Sequence, residues 1–169
     1  SKEKKIEKYK NSIKFDLKKY QTILKINELE KWIEKIEEKG IVAVDTETSS
    51  VNPHEANLVG ISLCYDPGTA CYIPLKHATE KVLEKKVVLK KLKNILQDKS
   101  IKKIGQNIKF DFIILLRNEI KLHPIEDTML MSYALDAGRH RHNMDHLSEI
   151  HLNHKPISFK EVAGTGKKQ

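Results

Sequence analysis

Two acidic residues follow an apolar run in the first third of the chain. Asp45 and Glu47 come directly after Ile41-Val-Ala-Val44 and are separated by Thr46. Because side chains alternate along a strand, the two carboxylates are predicted to point to the same side. Two like charges placed together are unfavourable unless a proton or cation lies between them. Carboxylates are preferred ligands of Mg²⁺ and Mn²⁺, so the pair indicates a divalent metal site, with a solvated strand end as the alternative.

A third acid stands in a pattern that could bring it to the same place. Asp111 follows Gln106 and Asn107, behind the strand candidate Ile101-Lys-Lys-Ile104 and Gly105. It is predicted to lie on the first turn of a helix that starts near Asn107. If the two strands are neighbours, that carboxylate faces the end of the first strand. The alternative is a plain helix N-terminus, where the dipole favours an acid anyway.

The elements that must position these acids have clear patterns. Ile41–Val44 is typical of a strand buried on both faces. A helix is predicted before this strand. Asn27 would cap its N-terminus together with Glu30 three residues later, and Gly40 would end it. The other predicted elements are strands at Gln21–Leu24, Leu58–Cys64, Thr69–Pro74 and Ile101–Ile104, with helices at 79–97, from Asn107, at Met129–Leu135 and at Met144–Leu152.

These elements indicate an α/β domain around a mixed sheet. Asp66-Pro67-Gly68 predicts a tight turn with proline at its second position and glycine at its third, which makes Leu58–Pro74 a β-hairpin. Cys64 and Cys71 are then expected close together across that hairpin as reduced thiols, which suits a cytoplasmic protein. The residues from Pro156 onwards are predicted to form a polar loop.

Composition bounds the class of protein and its partners. The 169 residues are 39% hydrophobic and 32% charged, which is typical of a soluble globular domain with one core. No apolar run reaches the roughly 20 residues of a membrane span, and no secretory signal is visible. The net charge of +8 favours a polyanionic partner, although a lysine-rich surface can also serve solubility alone.

The ordered motifs resemble the 3′→5′ proofreading exonuclease domain of bacterial DNA polymerase I, in the DEDD exonuclease superfamily. The resemblance runs from about Tyr20 to Gln169. It is carried by these segments: Val44-Asp-Thr-Glu-Thr48, Ala56-Asn-Leu-Val-Gly60, Tyr72-Ile-Pro74, Gly105-Gln-Asn-Ile-Lys-Phe-Asp111, Glu126-Asp-Thr-Met-Leu130, Arg141-His-Asn-Met-Asp145 and Gly164-Thr-Gly-Lys-Lys-Gln169. It implies an RNase H-like fold and two-metal hydrolysis of nucleotides from a DNA 3′ end.

The resemblance also implies roles for individual residues. Asp45, Glu47 and Asp111 would be the catalytic residues and would hold two Mg²⁺ or Mn²⁺ ions. Asp127 lies in a matching motif but need not be a ligand, because the alternative is that it caps the helix that starts there. The nucleic acid, a single-stranded or frayed DNA 3′ end, would be contacted by Thr46, Val51, Gln106, Asn107, Phe110 and Arg141.

One part of the family pattern is missing. The resemblance implies a fourth acid in a Tyr-x-x-x-Asp motif, but the sequence ends at Gln169 before that motif, and Tyr133-Ala-Leu-Asp136 has the wrong spacing. Residues 1–19, which are dense in lysine and glutamate, are interpreted as a charged linker or N-terminal helix. Residues 20–169 are interpreted as an exonuclease domain truncated before its third motif and covalently joined to a polymerase domain. A fragment without the fourth acid would be weakly active or inactive.

Several other interpretations of the sequence stay open. The domain could be a non-catalytic scaffold or single-strand-binding module, or a ribonuclease D-like RNA exonuclease. His140 and Asp145 have the spacing of the histidine branch of the superfamily. His142 and His146 share a helix face and could bind zinc, although no cysteine lies nearby. Gly164-Thr-Gly-Lys167 is not a Walker A loop, because Glu161 stands where that loop needs glycine.

Overall fold

The protein is described here by a computed structural model covering residues 17–77, 79, 81–158 and 161. A mixed six-stranded sheet is its centre, in the order β1-β4-β3-β2-β5-β6. The strands are β1 Tyr20–Thr22, β2 Ile41–Thr48, β3 Leu58–Cys64, β4 Ala70–Pro74, β5 Lys102–Gly105 and β6 Ile125–Asp127. The helices are α1 Ile26–Lys39, α2 Lys85–Gln97, α3 Lys109–Arg117, α4 Thr128–Asp136 and α5 Met144–Leu152. The predicted α/β class is confirmed.

The described residues divide into two compact units. Residues 17–128 carry the whole sheet with α1, α2 and α3. Residues 129–158 and 161 carry α5 and all of α4 except its first residue, Thr128. The proposed linker, residues 1–19, lies outside the described residues apart from a short 3-10 turn at Leu17–Lys19. The glycine-bearing segment 164–169 also lies outside them.

The central pairing of strands sets the position of the acidic residues. β2 runs antiparallel to β3 and parallel to β5, with Ala43 opposite Ile104. The condition under which Asp111 could reach Asp45 and Glu47, that β2 and the strand before Asp111 are neighbours, is therefore met. β6, which the sequence patterns did not predict, extends the sheet parallel to β5. At three residues it is too short for an alternating pattern to reveal it.

The first helix begins two residues earlier than predicted. Its N-cap is Lys25, and the carboxylate of Glu28 accepts hydrogen bonds from the backbone N–H groups of Lys25 at 3.2 Å and Leu24 at 3.3 Å. Glu28 thus takes the role that the sequence assigned to Glu30, which instead pairs with Lys91 across to α2 at 2.6 Å. The predicted end is confirmed, because Gly40 adopts the left-handed conformation at φ 65°.

The second helix begins later than predicted. Residue 79 and residues 81–84 are not helical, and α2 starts at Lys85, with the carbonyl of Glu84 accepting from the N–H groups of Val87 and Val88. The buried stripe is Val88, Leu92, Ile95 and Leu96 rather than the predicted Val82, Leu89, Leu92 and Leu96. Val88 is buried in place of Leu89, so the buried face of the helix is rotated relative to the prediction. Val82 lies before the first helical residue and is not part of that face.

The predicted hairpin is confirmed. β3 and β4 pair antiparallel, and the N–H of Thr69 donates to the carbonyl of Asp66 at 3.0 Å with Gly68 at φ 84°. Cys64 and Cys71 are free thiols on adjacent strands. In the described part of the chain, none of the helices combines the length and apolar character that a membrane crossing needs.

Candidate active site

The two acids of the opening motif lie within β2 rather than after it. Asp45 pairs with Ser62 and Glu47 with Gly60 on the neighbouring strand. Their side chains are exposed while Thr46 between them is buried, so alternation does place both carboxylates on one face. The strand was predicted to be buried on both faces. Instead only alternate residues, among them Val42 and Val44, are fully buried.

Asp111 is brought to β2 by a direct contact with Thr46, the residue between the two acids. Its Oδ1 accepts hydrogen bonds from the backbone N–H of Thr46 at 2.8 Å and from the Thr46 hydroxyl at 2.6 Å. Asp111 is only 4% exposed and stands in the first turn of α3, as predicted. Thr46 was predicted to touch nucleic acid. In the structure both of its donors orient Asp111, and its contact with nucleic acid stays a prediction.

The three carboxylates affect one another electrostatically. Partial burial, then Asp111, then Glu47 raise the pKa of Asp45 to about 6. Burial raises the pKa of Asp111, and the two hydrogen bonds from Thr46 oppose that rise. Among the described residues, no cation pairs with Asp45, Glu47 or Asp111. An uncompensated cluster of oxygen ligands fits a hard divalent ion in its chemistry.

The carboxylates suit a divalent ion by the type of their donor atoms, but they are not arranged as a complete set of metal ligands. Within residues 17–77, 79, 81–158 and 161, no group of three or more His, Cys, Asp or Glu side chains is arranged to hold a metal ion. Asp111 directs Oδ1 to Thr46, which leaves Oδ2 as the oxygen available to an ion. Asp45, Glu47 and Asp111 therefore remain the predicted ligands.

Tyr72 is a neighbour of the site that the sequence quoted only within a motif. Its ring lies across Gly60, the residue that pairs with Glu47, and a Cβ at position 60 would overlap the ring. Burial and the charge of Glu47 raise the pKa of the Tyr72 hydroxyl. A glycine inside a strand, which often marks a close approach, was the available signal.

The loop between β5 and α3 is held by Asp127. One carboxylate oxygen accepts from the N–H of Asn107 and the other from the N–H of Ile108, both at 3.0 Å. Asp127 therefore caps the start of α3, whereas the sequence suggested the helix that follows it in the chain. Asn107 is exposed at φ 55°, a conformation that asparagine tolerates better than most residues.

Gln106 and Phe110 lie on either side of Asn107. The Thr128 hydroxyl lies 2.5 Å from Oε1 of Gln106 and 3.0 Å from the Gly105 carbonyl, so its single proton is donated to one of them at a time. Phe110 is half-buried and packs against the hydrophobic core. Contacts of Gln106, Asn107 and Phe110 with nucleic acid stay predictions.

Val51 stands on a tightly bonded loop between β2 and β3. It is 96% exposed, the most exposed of the large hydrophobic residues in the described chain. Behind it, the guanidinium of Arg117 donates to the carbonyls of Pro53 and Ala56, each at 2.7 Å. Arg117 ends α3, the helix that begins near Asp111, and so ties this loop to the acid-bearing helix.

Replacing Arg117 with alanine should loosen that loop. Hydrogen bonds from charged donors contribute about 1.5–3 kcal/mol when buried, and this group is exposed, so we expect a loss of about 1 kcal/mol in the free energy of unfolding. Amide hydrogen exchange at 52–57 should accelerate. The control is Arg139→Ala, which removes only an exposed pair with Asp136. Unchanged exchange in the loop would contradict the assignment.

Asp45→Asn should stabilise the protein in the absence of divalent ions. Ionising Asp45 costs more in the folded chain than in the unfolded one, so wild type loses stability as the pH rises from 3.8 through about 6. Because the side chain is only partly buried, water screens the effect and the gain at neutral pH is roughly 1 kcal/mol. Urea unfolding should show Asp45→Asn to be more stable than wild type at neutral pH. The difference should vanish below pH 3.8, the pKa of Asp45 in the unfolded chain. Glu55→Gln, an exposed acid with no ion pair among the described residues, should leave stability unchanged at both pH values.

Arg141 lies in the C-terminal unit and is exposed. Its carbonyl accepts a hydrogen bond from Nδ1 of His140 at 2.8 Å. The ring of His140 lies 4.9 Å from that of His142 and 5.4 Å from that of His146. The predicted contact of Arg141 with nucleic acid stays a prediction.

Comparison with known proteins identifies the family. A family model described as 3′-5′ exonuclease matches residues 20–169. DNA polymerase I of Rhizobium leguminosarum is 39% identical to this chain. The match covers 92% of this chain and 17% of that protein. DNA polymerase I of Pseudomonas aeruginosa is 38% identical over 156 residues, covering 89% and 17%. The chain therefore spans about a sixth of the length of these curated relatives.

Solved structures share the fold at lower identity. Brucella melitensis NrnC with bound Mg²⁺ superposes with a TM-score of 0.65 at 23% identity, covering 88% of this chain and 68% of that one. Trypanosoma brucei RNase D in complex with RNA U12 has a TM-score of 0.70 at 15% identity, covering 86% and 51%. The mixed sheet and its helices are thus an RNase H-like exonuclease fold. The chain belongs to the 3′-5′ exonuclease family, in the form found as a domain of DNA polymerase I.

Proposed function

We propose that the protein is a divalent-metal-dependent exonuclease that removes mispaired nucleotides from DNA 3′ ends as the proofreading part of a DNA polymerase I. The observation that carries this proposal is the proximity of Asp111 to Asp45 and Glu47 at strand β2, with Thr46 holding Asp111. The identity of 38–39% to polymerase I proteins supports DNA as the substrate and a polymerase domain as the covalent partner.

Asp45, Glu47 and Asp111 would hold two Mg²⁺ or Mn²⁺ ions. Bound ions of this kind activate the attacking water and neutralise charge on the leaving oxygen. Thr46 fixes Oδ1 of Asp111, so Oδ2 is the oxygen that would face an ion. The Tyr72 hydroxyl lies within electrostatic reach of Glu47, whose charge together with burial raises the pKa of Tyr72.

The residues around the acids would orient the strand end. Val51 presents an apolar side chain that could wedge against the terminal base, and Arg117 keeps its loop in place. Asn107 and Gln106, fixed by Asp127 and Thr128, would donate hydrogen bonds to the terminal nucleotide. Phe110 would also contact the strand, and the exposed Arg141 is a further proposed contact, in the C-terminal unit.

The test is digestion of 5′-labelled single-stranded DNA by the natural full-length protein with Mg²⁺. We expect a ladder of products shortened from the 3′ end, no products in EDTA, and faster removal of a mismatched than a matched terminal nucleotide. Internal cleavage, or no shortening at all, would refute the proposal.

RNA of the same sequence serves as the second substrate. The structural likeness to ribonuclease D concerns the fold alone, whereas the sequence relatives are DNA polymerases. We expect DNA to be shortened faster than RNA. Faster shortening of RNA would favour the ribonuclease D-like alternative, and binding of either strand without cleavage would favour the scaffold.

A further inference from the structure

A strongly basic groove lies between α2 and the segment that follows α3. Its volume is about 670 Å³. Five cations and a single acid line it: Lys85, Lys86, Lys90, Lys93, Arg117 and Glu119. The floor is apolar and is formed in part by Leu89 and Ile120. All of these residues belong to the unit that carries the sheet.

The cations of the groove are not neutralised by the protein around them. In the part of the chain that the structure describes, none of its four lysines forms an ion pair. Lys91, on another face of the same helix, does pair with Glu30. Arg117 donates to carbonyl groups, which leaves its charge uncompensated. Burial and the charge of Arg117 lower the pKa of Lys85, so the two cations repel each other directly.

The start of α2 adds a second unfavourable feature. Lys85 and Lys86 stand in its first turn, where the helix dipole disfavours positive charge, and no acid stands there. Glu84 at the N-cap makes no side-chain capping bond. Local preferences of this kind are most often broken at functional or strained sites. An anion in the groove would meet both the lysines and the helix N-terminus.

The groove adjoins elements of the candidate active site. Asp111 and Arg117 are six residues apart on α3, a rise of about 9 Å along the helix. Arg117 lines the groove and also bonds to the loop that presents Val51. A strand that ends near the carboxylates therefore needs only a short run of nucleotides to reach the groove.

We propose that this groove binds the phosphodiester backbone of a single DNA strand, 5′ to the nucleotide held at the candidate active site. This inference rests on the proposed function. No aromatic side chain is among the described residues lining the groove, so binding is through phosphates rather than base stacking. The site is accordingly insensitive to sequence and sensitive to salt.

The test compares two triple variants of the full-length protein that remove equal charge. One is Lys86→Gln, Lys90→Gln and Lys93→Gln in the groove. The control is Lys25→Gln, Lys31→Gln and Lys99→Gln, three exposed lysines outside the groove. Lys85 is kept because it is half-buried, and Arg117 because it holds the loop between β2 and β3. Fluorescence anisotropy in EDTA measures the affinity for labelled oligothymidylates of about three and about twelve nucleotides.

The groove variant should bind the longer oligonucleotide about tenfold more weakly than wild type. Its plot of log affinity against log salt should be shallower by about 2, since each lost phosphate contact removes about 0.7. The control variant should stay within about twofold of wild type. For the shorter oligonucleotide, the groove variant should lose much less affinity. Unfolding midpoints of both variants should match wild type.

Three results would overturn the inference. They are an equal loss in both triple variants, an unchanged salt slope in the groove variant, and an equal loss for short and long oligonucleotides. Loss of binding to an acidic polypeptide such as polyglutamate, without loss for DNA, would assign the groove to a protein partner instead. Because binding is measured without hydrolysis, failure of the groove is separable from failure of 3′ shortening, which would count against the proposed function.

Discussion

Replacing Asp45 with alanine is expected to slow removal of 3′ nucleotides about a thousandfold. Asp45 shares one sheet face with Glu47 and lies within electrostatic reach of Asp111, as its raised pKa shows. Because the charges of both Asp111 and Glu47 act on Asp45, its removal is expected to weaken binding of each proposed ion. Loss of about 4 kcal/mol of transition-state stabilisation corresponds to about a thousandfold in rate.

Single-turnover digestion of 5′-labelled DNA with saturating Mg²⁺ is the appropriate measurement. Asp66→Ala serves as the control, because it removes a carboxylate from the β3–β4 turn and leaves the candidate site intact. The control should cut at the wild-type rate. If Asp45→Ala retained more than about a tenth of the activity, a loss of less than about 1.4 kcal/mol, Asp45 could not be a ligand of the reacting centre.

Thr46→Val should produce a smaller effect with a different signature. The variant keeps the backbone N–H bond to Asp111 and loses the 2.6 Å bond from the hydroxyl. One hydrogen bond to a charged group contributes about 1.5–3 kcal/mol, so a ten- to hundredfold fall in activity is expected. The Mg²⁺ concentration for half-maximal activity should rise, and Thr46→Ser should restore it. Recovery in the serine variant separates positioning of Asp111 from a general loss of packing.

Much of this site could be predicted because its residues follow local rules. Alternation along β2 fixed the relation of Asp45 to Glu47, since a period of two needs no tertiary information. The position of Asp111 needed one further assumption, that β2 and β5 are neighbours, and the sheet confirms it. Predictions of this kind depend on the local geometry of a strand and on one assumption about which two strands are neighbours.

The contacts that hold the site were not predictable in the same way. Asp127 was expected to cap the helix that follows it, because capping patterns in a sequence are local. It instead binds the backbone of Asn107 and Ile108, twenty residues earlier, because β6 lies beside β5. Tyr72 was missed for a similar reason, since only the hairpin register places its ring over Gly60.

Lys103 shows how far a strand pattern leads and where it stops. In Lys102-Lys103 the period of two requires one lysine to point inward, so a buried lysine is a consequence of the predicted strand. The sequence does not say which groups would receive it. They are three backbone carbonyls from the end of α2 and the turn after it, and only the packing of α2 against the sheet supplies them.

Replacing Lys103 with methionine should cost about 3 kcal/mol of folding free energy. The ammonium is completely buried and donates to the carbonyls of Asp98 and Ile101 at 2.6 Å and of Ile95 at 3.2 Å. These are acceptors at a helix C-terminus, where the dipole favours a cation. Methionine fills a similar volume but leaves the acceptors without their donor, at about 1–3 kcal/mol for each buried group left unpaired. Lys103→Ala should cost about 1 kcal/mol more, because it also leaves a cavity.

The matched control is Lys102→Met, on the same strand with its side chain exposed and a loose 3.4 Å pair to Glu126. It should shift stability by less than about 0.5 kcal/mol. Burial lowers the pKa of Lys103 to about 8 from 10.5, so between these values the unfolded chain binds the extra proton. The stability of wild type relative to Lys103→Met should therefore rise with pH across that window. Urea unfolding near pH 8 and near pH 10.5 measures the stability difference between wild type and Lys103→Met. If that difference fell as the pH rose, the carbonyl bonds would be keeping the ammonium charged.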